Sequence, residues 1–243
     1  MRRRLLAVGA LALLAVLAGC TSPFGGGGVD TGRADESVEY DWETEANTTL
    51  TVESDRVLAV YRVENRSTVE LYGFRRFGNL RPLDPVGVRF RYPNGTVVGA
   101  DAMSFSTQNS RTVVELPASE GQVGVVLPKE GKRVRAPIVL EGSHELVLPE
   151  NAHVRYFLLG RVAPRADERF EGPDGRVHLQ WDDLSGERLV VEYYLARDLV
   201  IFGVGVTIAG FLVLGGIAYF YLQLRTLRER RQQVAWDEDS GGP

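Results

Sequence analysis

The residues that most often carry catalysis or hold metals are scarce in this chain. Its 243 residues include one cysteine and three histidines. A single thiol excludes an intrachain disulfide and a cysteine-rich zinc centre. His144, His153 and His178 lack the HExxH spacing, and no GxSxG or glycine-rich phosphate motif occurs. We therefore expect no catalytic, cofactor-binding or metal-binding residues, and a protein that is not an enzyme.

A strong charge of one sign is also missing. The chain has 28 basic and 32 acidic side chains, a formal net charge of -4 and a pI near 5.5. This balance produces no field that would gather phosphates, so we expect no nucleic-acid partner. With 44% apolar residues, the composition is that of an ordinary globular protein rather than a disordered one.

The N-terminal residues have the pattern of an export signal. Three arginines follow Met1, and an apolar run then extends from Leu5 to Leu17. As a helix this run measures about 20 Å, too short for a hydrocarbon core of about 30 Å. The segment Leu17-Ala18-Gly19-Cys20 is similar to a lipoprotein signal box. We expect a signal peptide at 1–19, removed on export, and a lipid on Cys20; the alternative is an incidental cysteine beside an ordinary cleavage site.

The apolar run near the C-terminus is long enough to cross a bilayer. No formal charge occurs from Leu199 to Leu222, a stretch of about 36 Å as a helix. We expect a transmembrane helix at 198–222. Gly205, Ala209 and Gly216 share one face of this helix, where small residues permit close packing. A homodimer or a membrane-protein partner would use that face.

Flanking charge predicts the orientation of the span. Arginines 225, 228, 230 and 231 follow it, whereas Arg197 and Asp198 cancel before it. The C-terminus should therefore be cytoplasmic, and residues 223–243 form a tail that we expect to be too short to fold. The predicted location is the cell membrane, with a single pass, a lipid anchor at Cys20 and the ectodomain outside.

Between the two anchors we expect a glycine-rich tether and one domain. The tether, which starts at the lipidated cysteine, covers 20–34, and the extracellular domain covers 35–197. Apolar residues alternate with polar ones in the domain, as in Val57 to Val63, and turn signals recur about every 8 to 12 residues. The pattern predicts an antiparallel β-sandwich, immunoglobulin-like or related, with minor helices.

The alternation and the turn signals together outline eleven strands. Two close the domain, at Val177 to Trp181 and Leu189 to Leu195. Besides these and Val57 to Val63, the strand candidates are Thr48 to Val52, Val69 to Phe74, Val86 to Tyr92, Thr112 to Leu116, Val123 to Leu127, Pro137 to Leu140, Glu145 to Leu148 and Val154 to Leu159.

Two surface features could serve binding or modification. Asn47, Asn65 and Asn94 each begin an N-glycosylation acceptor pattern at a predicted strand edge or turn. One region also concentrates basic and aromatic residues. It is either a solvated strand face over a core face, which the alternation favours, or a contact for an anionic partner; its members are Arg75, Arg76, Arg81, Arg89, Arg91, Phe74, Phe77, Phe90 and Tyr92.

Several segments resemble those of an uncharacterised haloarchaeal membrane-protein family. They are the cysteine box, Tyr40-Asp41-Trp42, RYPNGTVVGADA from Arg91, RTVVELPA from Arg111, FLLG from Phe157 and RDLVIFG from Arg197. The resemblance covers most of the mature chain. It is to a domain of unknown function, so it implies no activity and no site. The predominance of arginine among the basic residues, of which only Lys129 and Lys132 are lysines, agrees with that setting.

These features leave three classes of function. The first is a non-enzymatic, membrane-anchored surface module that serves as an interaction or accessory protein of the cell envelope. The second is an extracellular solute- or polysaccharide-binding module, which would need a concave, aromatic-lined site. An envelope enzyme is the third and the least favoured, because no catalytic motif is present.

Overall fold

The computed structural model describes residues 30–75, 78–155 and 159–240, with side chains up to 225. The export signal, the lipidation site Cys20 and the first part of the predicted tether lie outside these residues. Predictions about them stay predictions.

Seventeen strands and one long helix form the described part of the chain. The longest sheet contains eight strands in the order β14-β15-β11-β1-β2-β9-β5-β6. Their bounds are Thr48–Val52 (β1), Arg56–Val63 (β2), Arg89–Arg91 (β5), Val97–Val98 (β6), Gly121–Pro128 (β9), Gly142–Val147 (β11), Glu168–Glu171 (β14) and Val177–Leu184 (β15).

The remaining strands belong to three smaller sheets. A four-stranded sheet has the order β4-β3-β8-β7, a three-stranded sheet β10-β16-β13, and a pair β12-β17 leads to the helix. Their bounds are Thr68–Phe74 (β3), Leu80–Pro82 (β4), Ser104–Gln108 (β7), Arg111–Glu115 (β8), Arg133–Pro137 (β10), Ala152–His153 (β12), Arg161–Ala163 (β13), Arg188–Glu192 (β16) and Tyr194–Leu195 (β17).

One core joins the large sheet to the smaller ones. Val57, Ala59, Tyr61 and Val63 alternate along β2 and are all buried, as the period of two requires. The same cluster includes side chains from β3, β10 and β16, such as Leu71 and Leu189. The predicted mainly-β fold with a C-terminal helix is confirmed, and the only helix inside the domain is a 3₁₀ turn at Ala100–Ala102 among the described residues.

The strand pairing departs from a purely antiparallel sandwich at one place. Strand β1 pairs in parallel with β11, with Thr48 opposite His144 and Thr51 opposite Val147. Three predicted strands also differ from the structure. The strand expected at 137–140 is found earlier in the chain, as β10, and the strand expected at 86–92 is shortened to β5. In the candidate at 154–159, residues 154 and 155 are not in a strand. Residues 156–158 of that last candidate lie outside the described part.

The packed structure begins slightly before the expected boundary at residue 35. The carbonyl oxygens of Arg33 and Ala34 accept hydrogen bonds from the amides of Gly87 and Val88, at 3.0 and 2.7 Å. The Tyr40 hydroxyl donates to the Gly87 carbonyl oxygen at 2.8 Å. A Cβ at Gly124 would lie 2.7 Å from the Tyr40 ring, so the glycine in β9 leaves room for this segment.

Helix α1 extends from Ala196 to Ser240 and contains the predicted span. The part of α1 from Ala196 to Arg225 is long and apolar enough to cross a membrane. Its most apolar window has a mean hydropathy of 2.4, and no residue of that window is buried. The expectation of an unfolded tail is wrong, because the helix continues through residues 223–240. Elongating a helix adds one local hydrogen bond per residue and needs no core of its own.

The predicted helix-packing face is open in the isolated chain. A Cβ built at Gly205 or Gly216 meets no atom within 4 Å. At 100° per residue, Gly205, Ala209 and Gly216 lie within about 40° of each other around the helix. The surface is therefore smooth and accessible to another helix, and the homodimer or membrane partner at this face stays a prediction.

His144 is a buried titratable group in the large sheet. Its Nδ1 donates to the Gly142 carbonyl oxygen at 2.8 Å, and its Nε2 has no hydrogen-bond partner among the described residues. Burial lowers the pKa of His144 from its usual value of 6.5, and the bond to Gly142 opposes this only partly. Protonating His144 in the folded state therefore costs free energy.

We expect the domain to lose stability as the pH falls from 7.5 to 5.5. Because the folded pKa is lowered, the unfolded chain binds more protons through this range, with a slope of at most about 1.4 kcal/mol per pH unit for one proton. Thermal unfolding at several pH values measures this slope. His144→Phe should flatten it and His153→Gln should not, whereas an unchanged slope in His144→Phe would assign the effect to other groups.

Candidate functional site

Three neighbouring strands present arginines on one surface. The register of β10, β16 and β13 places Arg133 opposite Glu192 and Glu192 opposite Arg161. Two residues further along, Arg135 lies opposite Val190. Side chains that face each other across a ladder project to the same side of the sheet, so these arginines share a face.

The opposite side of the same strands explains why the arginines point outward. Val134 and Ala136 alternate with the arginines of β10, and in β16 Leu189 and Val191 alternate with Arg188, Val190 and Glu192; the first two and Leu189 and Val191 are buried. Turning either strand over would bury charged side chains and expose apolar ones. The hydrophobic core therefore fixes the direction of the arginines.

Two further arginines complete a cleft over this face. Arg75 follows β3, and Arg188 begins β16, with its guanidinium carbon 5.7 Å from the centre of the Phe74 ring. Stacking on an aromatic ring holds a guanidinium in place without neutralising it. The cleft has a volume of about 550 Å³, and we call it the arginine cleft; it is lined by Phe74, Arg75, Gly78, Arg133, Arg135, Arg161, Ala163, Pro164, Arg188, Val190 and Glu192.

The arginine cleft has a local excess of positive charge. Glu192 is the one carboxylate among the described residues that line it, and that group forms a salt bridge with Arg133. Within the described ranges, Arg75, Arg135 and Arg161 have no carboxylate within salt-bridge distance. A protein of net charge -4 thus gathers five arginines around one acidic group. Clustered like charges repel, and an anion in the cleft would relieve that repulsion.

The chemistry of these side chains limits what the cleft can do. A guanidinium stays charged at all physiological pH values and only donates hydrogen bonds. It can hold a carboxylate, sulfate or phosphate with two parallel bonds, but it cannot transfer a proton at neutral pH. The arrangement is therefore suited to recognising anionic groups and not to acid–base catalysis.

A second cleft lies at one end of the large sheet. It has a volume of about 690 Å³ and combines the half-buried rings of Trp42 and Tyr92 with carboxylates, amides and two arginines. Arg91 donates to Glu43, with nitrogen–oxygen distances of 3.2 and 3.1 Å. We call it the distal cleft; its polar lining residues are Glu43, Thr44, Glu45, Arg62, Glu64, Asn65, Arg91, Glu120 and Gln122.

The residues of the basic–aromatic region do not form one surface; they lie in different environments. Phe90 is fully buried, which confirms the core face, but the other face is not simply solvated. Arg89 donates to the Asp35 carboxylate at 2.9 Å and to the Asp35 and Glu36 carbonyls, so it fastens the N-terminal segment. Arg75 lines the arginine cleft, while Arg76 and Phe77 lie outside the described residues.

The three predicted glycosylation acceptors differ in accessibility. Asn65 and Asn94 are exposed in turns, and Asn65 has a φ of 54°. Asn47 is half-buried; its backbone N–H donates to the Ser143 hydroxyl, and its backbone carbonyl oxygen accepts from the Arg62 N–H. Attachment of a glycan is thus sterically easiest at Asn65 and Asn94, and occupancy stays a prediction.

The histidines occupy separate places. His144 is buried, His153 lies on β12, and the His178 ring is stacked on Phe170 at 5.1 Å, with Nδ1 2.7 Å from a Glu145 carboxylate oxygen. His178 lies on the face of β15 opposite to the buried Leu179 and Trp181, and its neighbours cover most of its side chain. No group of three or more His, Cys, Asp or Glu side chains in the described ranges is placed to hold a metal ion.

The arginine cleft was not predicted from the sequence. Its five arginines lie between positions 75 and 188, and each is locally an ordinary polar residue of a strand or turn. The available signal was the Arg133-Val134-Arg135 alternation, which repeats one charge sign on one face of a strand. Knowing that β10, β16 and β13 are neighbours was needed to use it.

The fold and the clefts describe a β-sandwich domain attached to an apolar helix. The chain belongs to a family of unknown function, DUF5803, whose model matches residues 44–239. The match includes most of the sandwich and almost all of α1. Neither the comparison with curated proteins nor that with solved structures found a match.

Proposed function

We propose that this protein is a membrane-anchored, non-enzymatic interaction module that binds an acidic protein partner of the cell envelope through the arginine cleft. The observation that carries the proposal is the convergence of five arginines and one glutamate on one face. Arginine is enriched at protein interfaces because its planar group combines apolar stacking with paired hydrogen bonds. An acidic surface would supply the missing counter-charges.

The helix supports a membrane location for this module. Its first residue, Ala196, directly follows strand β17, so the domain is held close to the bilayer. The arginines after the span favour a cytoplasmic C-terminus and an outward-facing domain. A partner would then be a protein in the same membrane or on the same surface, where tethering raises its effective concentration.

A photoreactive residue in place of Ala163 tests the partner. Crosslinking in intact membranes should give a specific protein adduct whose crosslinked peptide is rich in Asp and Glu. Arg135→Glu/Arg161→Glu should lower the adduct yield at least tenfold, since hydrogen bonds to charged groups contribute about 1.5–3 kcal/mol each.

The matched control is Arg165→Glu/Arg169→Glu, which makes the same charge change at exposed positions outside the cleft. We expect less than a twofold change in its adduct yield. Equal yields from both double variants would contradict the proposal, as would an adduct that contains only lipid or carbohydrate.

The distal cleft favours a second candidate, binding of an extracellular solute or polysaccharide. It is concave and offers the half-buried rings of Trp42 and Tyr92 beside amide and carboxylate groups. Aromatic faces with a few polar partners suit a partly apolar, partly hydroxylated ligand. A photoreactive residue in place of Glu64 discriminates the two functions, because a carbohydrate adduct there would favour this candidate.

A further inference from the structure

A third cleft lies where the domain meets the helix. It has a volume of about 590 Å³, and we call it the juxtamembrane cleft. Its wall includes Leu195 and Arg197, on either side of the first residue of α1. Its lining residues are Val52, Glu53, Ser54, Lys129, Gly131, Lys132, Pro149, Glu150, Arg176, Tyr193, Leu195 and Arg197.

Both lysines of the chain line this cleft. The Lys129 ammonium donates to the Tyr193 hydroxyl at 2.8 Å, which leaves its other two protons free of partners among the described residues. The Lys132 ammonium lies 2.6 Å from the Asp198 carboxylate, and the Leu195 amide donates to the same oxygen at 2.8 Å. These bonds connect the cleft to the first turn of the helix.

Two arginines add positive charge to the cleft. Arg176 donates to the carbonyl oxygens of Leu148 and Val52 at 2.7 and 3.1 Å, which orients its guanidinium. Its only carboxylate neighbour among the described residues is Asp174, whose oxygen lies 4.0 Å from Nε, so the positive charge is only partly offset. Arg197 has no ion pair among the described residues. Of the two lining carboxylates, Glu53 forms a salt bridge with Arg56 at 2.6 Å. Glu150 has no ion pair with any residue that the structure describes.

The height of the cleft matches that of lipid headgroups. Arg197 precedes the uncharged run by two residues, a rise of about 3 Å along the helix. The polar headgroup layer adds roughly 5–8 Å on each side of the hydrocarbon core. The cleft therefore opens within this layer, with Arg197 at its membrane end.

We propose that the juxtamembrane cleft binds the phosphate-bearing headgroup of an anionic lipid from the surrounding bilayer. Lys129 and Arg197 bind the phosphate, and the partly offset charge of Arg176 adds to the positive potential. The bound lipid would fix the height and tilt of the domain on the membrane. The proposal depends on α1 crossing a bilayer and is independent of the partner at the arginine cleft.

The test uses the full chain in nanodiscs of phosphatidylcholine and phosphatidylglycerol at 4:1, with retained lipid counted by native mass spectrometry. We expect phosphatidylglycerol to be enriched on the wild type. Each basic group near an anionic membrane contributes about 1 kcal/mol to binding. Lys129→Gln/Arg197→Gln removes two such groups, or about 2 kcal/mol, and at about 1.4 kcal/mol per tenfold this should lower the enrichment about 30-fold. The control Arg165→Gln/Arg169→Gln should leave it unchanged.

Two outcomes would overturn the proposal. One is the absence of phosphatidylglycerol enrichment on the wild type; this result needs no variant, so it holds even where a variant fails to fold. The other is equal retention in the two double variants. Lys129→Arg/Arg197→Lys, which keeps both charges, should retain the lipid. Millimolar inorganic phosphate in detergent should not protect the wild type against thermal unfolding; protection equal to that by the lipid would identify a site for free phosphate instead.

Discussion

Phe90→Ala is expected to lower the free energy of unfolding of the domain by about 3–5 kcal/mol. The Phe90 side chain has 0% exposure at the centre of β5 and meets Tyr92 edge to face, with ring centres 5.0 Å apart. The backbone on the neighbouring strand limits collapse around a cavity here. Gly121 already lies so close that a Cβ would be 2.6 Å from the Phe90 ring.

Urea unfolding of the full chain in detergent, followed by the fluorescence of the buried Trp181, measures this loss. Domains of this kind are stable by only about 5–15 kcal/mol, so the variant should unfold at a much lower urea concentration. Val97→Ala on the adjacent strand β6 is the control, because Val97 is 45% exposed and should cost less than about 1 kcal/mol. Equal losses in both variants would show that Phe90 is not part of the core.

The strands with alternating apolar residues were predictable from the sequence. Strand β1 has the predicted bounds, and β2 and β3 begin one residue earlier than expected. Strands β7 and β14 were missed because their side chains are mostly exposed and leave no apolar alternation to detect. In these strands, pairing with neighbours determines the structure, and a single sequence does not contain that information.

Long-range pairing was the other part that could not be predicted. The parallel contact of β1 with β11 joins Thr48 to His144, far apart in the sequence, and no local motif encodes it. The helix after residue 222 was missed for a different reason. The prediction assumed that residues 223–243 are too short to fold by themselves. A helix that has already started, however, can continue on local hydrogen bonds alone.

The two clefts differ in how many of their residues could be recognised from the sequence. For the juxtamembrane cleft, the two lysines and the start of the span were visible, but not that Arg176 joins them. For the arginine cleft, neither the members nor their shared face could be derived. The arginine cleft depends on residues such as Arg75 and Arg188 that become neighbours only through the strand order. The basic–aromatic region, which did attract attention, mainly fastens the N-terminal segment through Arg89.

The sidedness of the domain is the claim on which the predicted location and the proposed envelope partner depend. Ser185→Cys places a thiol in the exposed turn between β15 and β16, and Ser240→Cys places one at the end of α1. A membrane-impermeant maleimide applied to intact cells should label position 185 almost completely and position 240 only after the membrane is opened. The unaltered chain gives the background from Cys20. Labelling of position 240 but not position 185 in unopened cells would place the domain in the cytoplasm and contradict the account.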